Sequence, residues 1–275
     1  MDRVRSRLAS LYTMSVAFVR LNAIEDRSYP LSVVLTYIGR FMPVFLYFFV
    51  AKLVPADDAQ VGGDYFTFIV VGLSVTTMLD VTLIGFGKRL ALAWDRGYFE
   101  MLLVAPVTWA FLPITMHLWE MLTSLVMVIA LLGLGVLLGA ELVLGGLPAF
   151  FVVLLLGVAA CIGVGLISAA LQVLTKQSGP LVALYSIGAT LFSGAVFPVD
   201  LLPAAVKPIS FLIPHTYVVS IARSELMGEA PTGDLSFGVA VVGLLVSTAV
   251  FFTVGSVLFR RTLAVARRQG MLGAF

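Results

Sequence analysis

Near the start of the chain, Val4, Leu8, Leu11, Met14, Phe18 and Leu21 recur at steps of three and four. Arg3, Arg7, Ser10, Thr13 and Arg20 fall between them. That period predicts an amphipathic helix over residues 1–28 with one basic face. Such a helix lies in a membrane interface, apolar stripe among acyl chains and arginines at anionic headgroups. The same stripe also fits a heptad packed on a partner helix. Ser28, Tyr29 and Pro30 break the pattern, and proline suits the first turn of a new helix.

From there the pattern changes to long apolar runs at residues 31–54, 65–87, 109–138, 147–174, 180–197 and 235–259. A helix needs about 20 such residues to cross a hydrocarbon core of about 30 Å, and the third and fourth runs are long enough to tilt or protrude. Residues 197–228 differ from the other connections. Phe197, Pro198, Leu201, Leu202, Pro203, Pro208, Phe211 and Pro214 make the stretch too apolar for an aqueous loop, and its prolines forbid one straight helix. Short helices that dip into the membrane and return fit this pattern, provided protein buries their free backbone groups; an amphipathic surface loop is the other reading. The expected fold is an all-α integral membrane protein of residues 1–275 as a single transmembrane domain. It has six transmembrane helices, an N-terminal amphipathic interfacial helix, and re-entrant extracellular helices before the last span.

Composition supports this and narrows the function. The 275 residues are 60% hydrophobic and 12% charged, with mean hydropathy +1.08, whereas a soluble domain carries roughly a quarter charged residues. A soluble enzyme is excluded, and the short connections leave no room for an added catalytic domain. The net charge of +2 points to no nucleic acid. Cys161 stands alone in an apolar run, which excludes an internal disulfide and any cysteine-based metal site. The start of the chain does not read as a cleavable signal, since no continuous apolar core follows Arg3, Arg5 and Arg7.

Lys and Arg placement sets orientation. Arg3, Arg5, Arg7, Arg20 and Arg27 precede the first span, Lys88, Arg89 and Arg96 follow the second, Lys176 the fourth, and Arg260, Arg261, Arg267 and Arg268 the sixth. With six spans these fall on one side, predicting a plasma-membrane protein with both termini cytoplasmic. The other side holds Asp57, Asp58, Asp64, Glu141, Asp200, Glu229 and Asp234, against Lys52, Lys207 and Arg223. Arg223 and Glu225 read as solvated or mutually paired.

Four polar residues fall inside the expected spans: Arg40, Asp80, His117 and Glu120. A charge near the bilayer centre costs about 2.5–3.5 kcal/mol on insertion scales and usually finds a partner. At about 1.5 Å per residue all four lie roughly 12–18 Å from the cytoplasmic edge. Arg40 is therefore expected to pair with Asp80 or Glu120, as an ionic lock between spans or as part of a proton or substrate relay.

Between the second and third spans, residues 95–106 read DRGYFEMLLVAP. Tyr98, Phe99, Glu100, Met101, Leu102 and Leu103 suit a short helix, which Pro106 stops. Its apolar side chains at a cytoplasmic surface require a partner or the bilayer. Later in the chain come Ser193, Gly194, Phe197 and Pro198 in SGAVFP, then Leu202 and Pro203, then Pro214, Thr216 and Tyr217 in PHTY.

These two motifs, with the predicted topology, resemble the permease subunit of ABC-2 type ABC exporters, and the likeness covers nearly the whole chain. The resemblance implies that Tyr98, Phe99, Glu100, Met101, Leu102, Leu103 and Pro106 form a coupling segment docked on a separate ATP-binding subunit. It implies that Phe197, Pro198, Pro203, Pro214 and Tyr217 shape a re-entrant extracellular gate. It implies a dimer of permeases, homomeric or heteromeric, with a path lined by the second and fifth spans, for which Thr76, Thr77, Phe192 and Ser193 are candidates. His215 departs at a variable position of PHTY.

Gly87-Lys88 is the one Gly-Lys pair, and Thr82 stands where the first glycine of a phosphate loop belongs. ATP and Mg are thus expected on the partner subunit, with no cofactor, metal or catalytic residue on this chain. The implied function is a membrane path for a drug, lipid or glycan-type substrate. An ATP-independent secondary carrier or channel is the alternative; it would depend on the polar cluster and not on EMLLVAP. No paired His or nucleophile constellation supports a membrane-embedded enzyme.

Overall fold

Proline sets the first boundary. Helix α1 (Asp2–Ser28) ends one residue before Tyr29, and α2 (Pro30–Ala51) starts on Pro30. The computed structural model describes residues 2–53, 65–97, 112–175, 179–228 and 236–268. After α2 come α3 (Tyr65–Asp95), α4 (Leu112–Leu137), α5 (Leu147–Thr175), α6 (Gly179–Phe192), the four-residue α7 (Lys207–Ser210), α8 (Pro214–Met227) and α9 (Phe237–Arg268). Single 3-10 turns sit at Leu144–Gly146 and Val199–Leu201. All described elements are helical.

Five described helices are long and apolar enough to cross a membrane: α2, α3, α4, α5 and α9. The chain is therefore a multi-pass membrane protein. The expected fifth span is shorter than its apolar run. Helix α6 has 14 residues, about 21 Å of rise, and bends at residues 193–197 give way to Pro198. Two other helices outrun their apolar runs. Helix α3 continues past residue 87 to Asp95, so Lys88 and Arg89 stand on the helix instead of in a connection. The reason is packing: Leu90 and Ala93 are buried with Met116 and Phe259. Helix α9 likewise runs to Arg268, with Phe259 and Leu263 buried in the same cluster.

The core is built on α3 and α5. Their buried residues, such as Val71, Val75 and Leu79 on α3 and Leu154 and Val158 on α5, meet Val218 and Ile221 of α8. Helix α8 is embedded in the bundle as deeply as α3: ten of its fourteen residues are buried. It packs against α3, α5 and α9. His215, at its start, faces Asp80 midway along α3, and Arg223, near its end, reaches Phe68 close to the start of α3. By contrast α2 buries only Val44 and presents Leu35, Met42, Leu46 and Phe49 outward.

The N-terminal stripe holds at Met14 and Phe18 and departs at Leu21, the side chains of Val4, Leu8 and Leu11 lying outside the described residues. Met14 and Phe18 pack on the cluster of Phe86, Leu90 and Met116, but Leu21 is exposed and Asn22 is buried in its place. Steps of four from 14 to 18 to 22 keep one line on a helix, and Asn22 continues the line because it has polar partners in the bundle.

Candidate functional site

Asn22, Glu25 and Asp26 share the side of α1 that meets α3 and α4, and a polar network forms there. Arg89 of α3 is paired with Glu120 of α4. It also donates through Nη1 to Asn22 Oδ1 at 3.0 Å and stands 3.6 Å from Glu25 Oε2. Arg96, in the turn after α3, donates to Glu25 Oε1 at 2.5 Å. Asn22 Nδ2 donates to the Met116 carbonyl at 3.2 Å, and Trp119 Nε1 donates to Asp26 Oδ2 at 2.7 Å. Three helices are thus tied at the end of the bundle where α3 stops and the described part of α4 begins. The coupling candidates Tyr98, Phe99, Glu100, Met101, Leu102, Leu103 and Pro106 lie outside the described residues.

The Arg96 hydrogen bond, followed by the charges of Arg96 and Arg89, outweighs partial burial and holds the Glu25 carboxyl below its ordinary value of 4.5. A depressed carboxyl contributes stability that is fully present above 4.5 and lost as pH falls through its lower folded value. Thermal stability of the solubilised protein should therefore fall on acidification below 4.5, and Arg96→Gln should flatten that part of the profile. An identical acid limb in both proteins would remove Glu25 from the account.

A cavity of about 480 Å³ adjoins the network. Arg40, Asp80, His117 and Glu120 all line it, as do Thr76, Thr77 and Thr190. The four polar residues are brought together, but their pairing is not the expected one. Arg89, not Arg40, is the partner of Glu120. Helix α3 continues through Lys88 and Arg89 to Asp95, and that extension brings the Arg89 guanidinium to Glu120. Asp80 Oδ1 accepts from Ser186 Oγ at 2.7 Å and stands 4.0 Å from His215 Nε2. Arg40 makes no ion pair or hydrogen bond among the described residues. His117 is buried against Phe86, with Nδ1 3.4 Å from Glu120 Oε2. Pro43, one turn past Gly39 and Arg40, has no N–H to give the Gly39 carbonyl, so the backbone is also less satisfied here.

Of the other path candidates, Phe192 and Ser193 stand apart from this cavity. Phe192 closes α6 half-buried, and Ser193 is buried in the bend beyond it. That bend is held by a residue expected in solvent or paired with Glu225. Arg223 is 1% exposed, lies 3.2 Å over the Phe68 ring, and donates to the carbonyls of Ala195 at 2.8 Å and Phe68 at 3.3 Å. The correction has a local cause. Gly194 turns the chain at φ +80, and Gly72 has no Cβ where the Ala195 carbonyl passes, so that carbonyl is carried into the bundle, where Arg223 meets it.

The gate candidates sit in the segment that follows. Pro198 is buried, Phe197 half-buried and Pro203 exposed. Pro214 occupies the first turn of α8. Thr216 Oγ1 donates to the Ser210 carbonyl at 2.6 Å, and Tyr217 OH donates to the Phe211 carbonyl at 2.7 Å. PHTY thus fastens α7 to α8 through two side-chain-to-backbone bonds, and its His215 is buried. Lys207 is paired with Asp200 at 2.8 Å.

Sequence reasoning missed the roles of Asn22, Asp26, Arg89, Trp119, Ser186 and Arg223. Asn22 alone carried a signal, a polar residue beside an apolar stripe. A family model described as ABC-2 type transporter matches residues 20–227. No curated protein matches the chain.

Proposed function

The chain belongs to the ABC-2 type transporter family, and from that premise we propose that it is the permease subunit of an ATP-driven exporter, coupled to a separate ATPase that binds ATP and Mg. The end of the bundle that carries α1 faces the cytoplasm of a plasma-membrane protein, and residues 98–106 dock on the ATPase. Helix α6 and the bend after it complete a sixth crossing. Segment 193–213 returns toward mid-depth, so that α8 starts beside Asp80 and rises again as a re-entrant helix. A second permease packs on the outward apolar stripe of α6, formed by Leu181, Leu184, Ile187 and Leu191.

One observation carries this reading: the network of Arg89, Glu120, Glu25 and Arg96 joins α1, α3 and α4 at the helix ends that flank the docking segment in sequence. The same α3 carries Thr76, Thr77 and Asp80 into the cavity. A displacement received at residues 98–106 therefore reaches the cavity through rigid helix, with no intervening flexible joint between Arg96 and Thr76. ATP supplies the drive by binding one conformation of the assembly more tightly than the other.

Reconstitution of the permease with a candidate ATPase tests this. Leu103→Ala and Glu100→Ala remove a buried anchor and a polar contact, and such anchors contribute about 2 kcal/mol or more each. Permease-dependent ATPase activity should fall about tenfold or more in each variant, while the permease stays folded. Transport that continues without ATP and is indifferent to both substitutions would instead establish an ATP-independent carrier.

A further inference from the structure

The cavity between α2, α3, α4 and α6 has an uneven charge inventory. Its charged lining is Arg40, Lys88 and Arg89 against Asp80 and Glu120, with His117 beside them. Arg89 and Glu120 are spent on each other, and Asp80 accepts from Ser186. Arg40 and Lys88 have no acidic partner among the described residues. Lys88 is exposed at one end of the lining, whereas Arg40 stands ten residues into α2, about 15 Å along it. A guanidinium at that depth is costly unless an anion meets it. The rest of the lining suits an amphiphile: Thr76, Thr77 and Thr190 offer hydroxyls, while Pro43, Leu73, Val81 and Ile84 offer apolar surface. Its volume of about 480 Å³ lies within the range of small-molecule sites.

We propose that this cavity is a headgroup site for an amphiphile bearing a phosphate, sulfate or carboxylate, with Arg40 as the selecting cation and Lys88 as the cation at its mouth. The proposal rests on the permease reading for its purpose, since such a site would load an anionic amphiphile into the path. Its chemistry stands on the lining alone. Arg40 supplies a planar fork matched to two oxygens of one anionic group. Thr77 donates to its remaining oxygens, whereas Thr76 and Thr190, whose hydroxyls donate to the carbonyls of Gly72 and Ser186, accept from any headgroup hydroxyl, and the alkyl portion lies along Leu73 and Ile84.

The test uses the full chain in phosphatidylcholine nanodiscs, without any ATPase, and a fluorescent alkyl phosphate as probe. Wild type should bind the alkyl phosphate at least about tenfold more tightly than an alkyl glucoside of equal chain length, the discrimination of one charge-assisted hydrogen bond. Arg40→Gln should abolish that discrimination and Arg40→Lys should keep part of it. Lys88→Gln should weaken binding by a smaller factor, and Asp80→Asn should leave it equal or tighter. Competition by phosphatidylglycerol added to the nanodisc would identify a bilayer lipid as the occupant; its failure to compete would identify an amphiphile arriving from solution.

Equal binding of phosphate and glucoside probes by wild type overturns the proposal, and that comparison needs no variant. So does a folded Arg40→Gln protein with undiminished selectivity, or a loss of affinity in Asp80→Asn, which would mark a cationic ligand. Because no ATPase is present, failure of coupling leaves these outcomes unchanged. Absent headgroup selectivity with coupling intact would refute the ligand class only.

Discussion

Arg223→Met should lower the unfolding midpoint of the solubilised protein more than any other single substitution described above. The guanidinium is 1% exposed and donates to the backbone carbonyls of Ala195 and Phe68 while lying over the Phe68 ring. Methionine fills much of the volume but donates nothing, so buried carbonyls lose a charged donor at about 1–3 kcal/mol each. The ring contact adds about 2 kcal/mol in a desolvated setting. The combined loss, about 3–5 kcal/mol after partial relaxation, is a large share of a typical folding free energy. Lysine, with a single ammonium, can reach one carbonyl but not span both, and should recover part of the loss. Gly72→Ala attacks the same knot from the other side, because its Cβ would fall on the Ala195 carbonyl. An Arg223→Met protein with an unchanged midpoint would show that the bend at 193–197 is held by something else.

Arg89→Ala has the second largest expected effect. The side chain is 16% exposed and Glu120 24%, so solvent screens this pair only in part. Its removal leaves Glu120 without its cation and deprives Glu25 of one of two, a loss of about 2–4 kcal/mol. Glu120→Ala in the Arg89→Ala background should restore part of that stability, because an unpaired carboxylate costs more than a vacant position. A double-mutant cycle between the two should report at least about 1 kcal/mol of coupling. Strictly additive effects would reduce the contact to a surface pair of little consequence. In the reconstituted system the same Arg89→Ala variant should bind its ATPase normally yet stimulate it poorly, since the break lies after the docking segment.

The membrane class, the helix at each apolar run and the break at Pro30 were legible in the chain, because each follows from local properties. Hydropathy over a window of about 20 residues, a repeat near 3.6 and a missing proline N–H need no knowledge of distant neighbours. The same holds for the grouping of Arg40, Asp80, His117 and Glu120, which came from counting rise along spans. The count gave depth but not pairing: α3 runs on as helix past residue 87, Arg89 on that extension meets Glu120, and the expected bond to Arg40 is not made.

Pairing and burial belonged to the tertiary structure. Arg223 read as a solvated loop charge because nothing local shows that α8 is sunk among α3, α5 and α9; only the passage of the Ala195 carbonyl beside Gly72 gives that guanidinium a reason to be buried. Asn22 and Leu21 differ by one position, a 100° rotation on a helix, and which of them faces inward depends on Arg89 and the Met116 carbonyl, contributed by two other helices. Hydrophobic pattern determined by itself that this chain lives in a membrane and where it turns helical, since water and lipid sort side chains residue by residue. Which charges meet, and so which cation is left to face the cavity, was decided only when helices distant in sequence came to within hydrogen-bond reach.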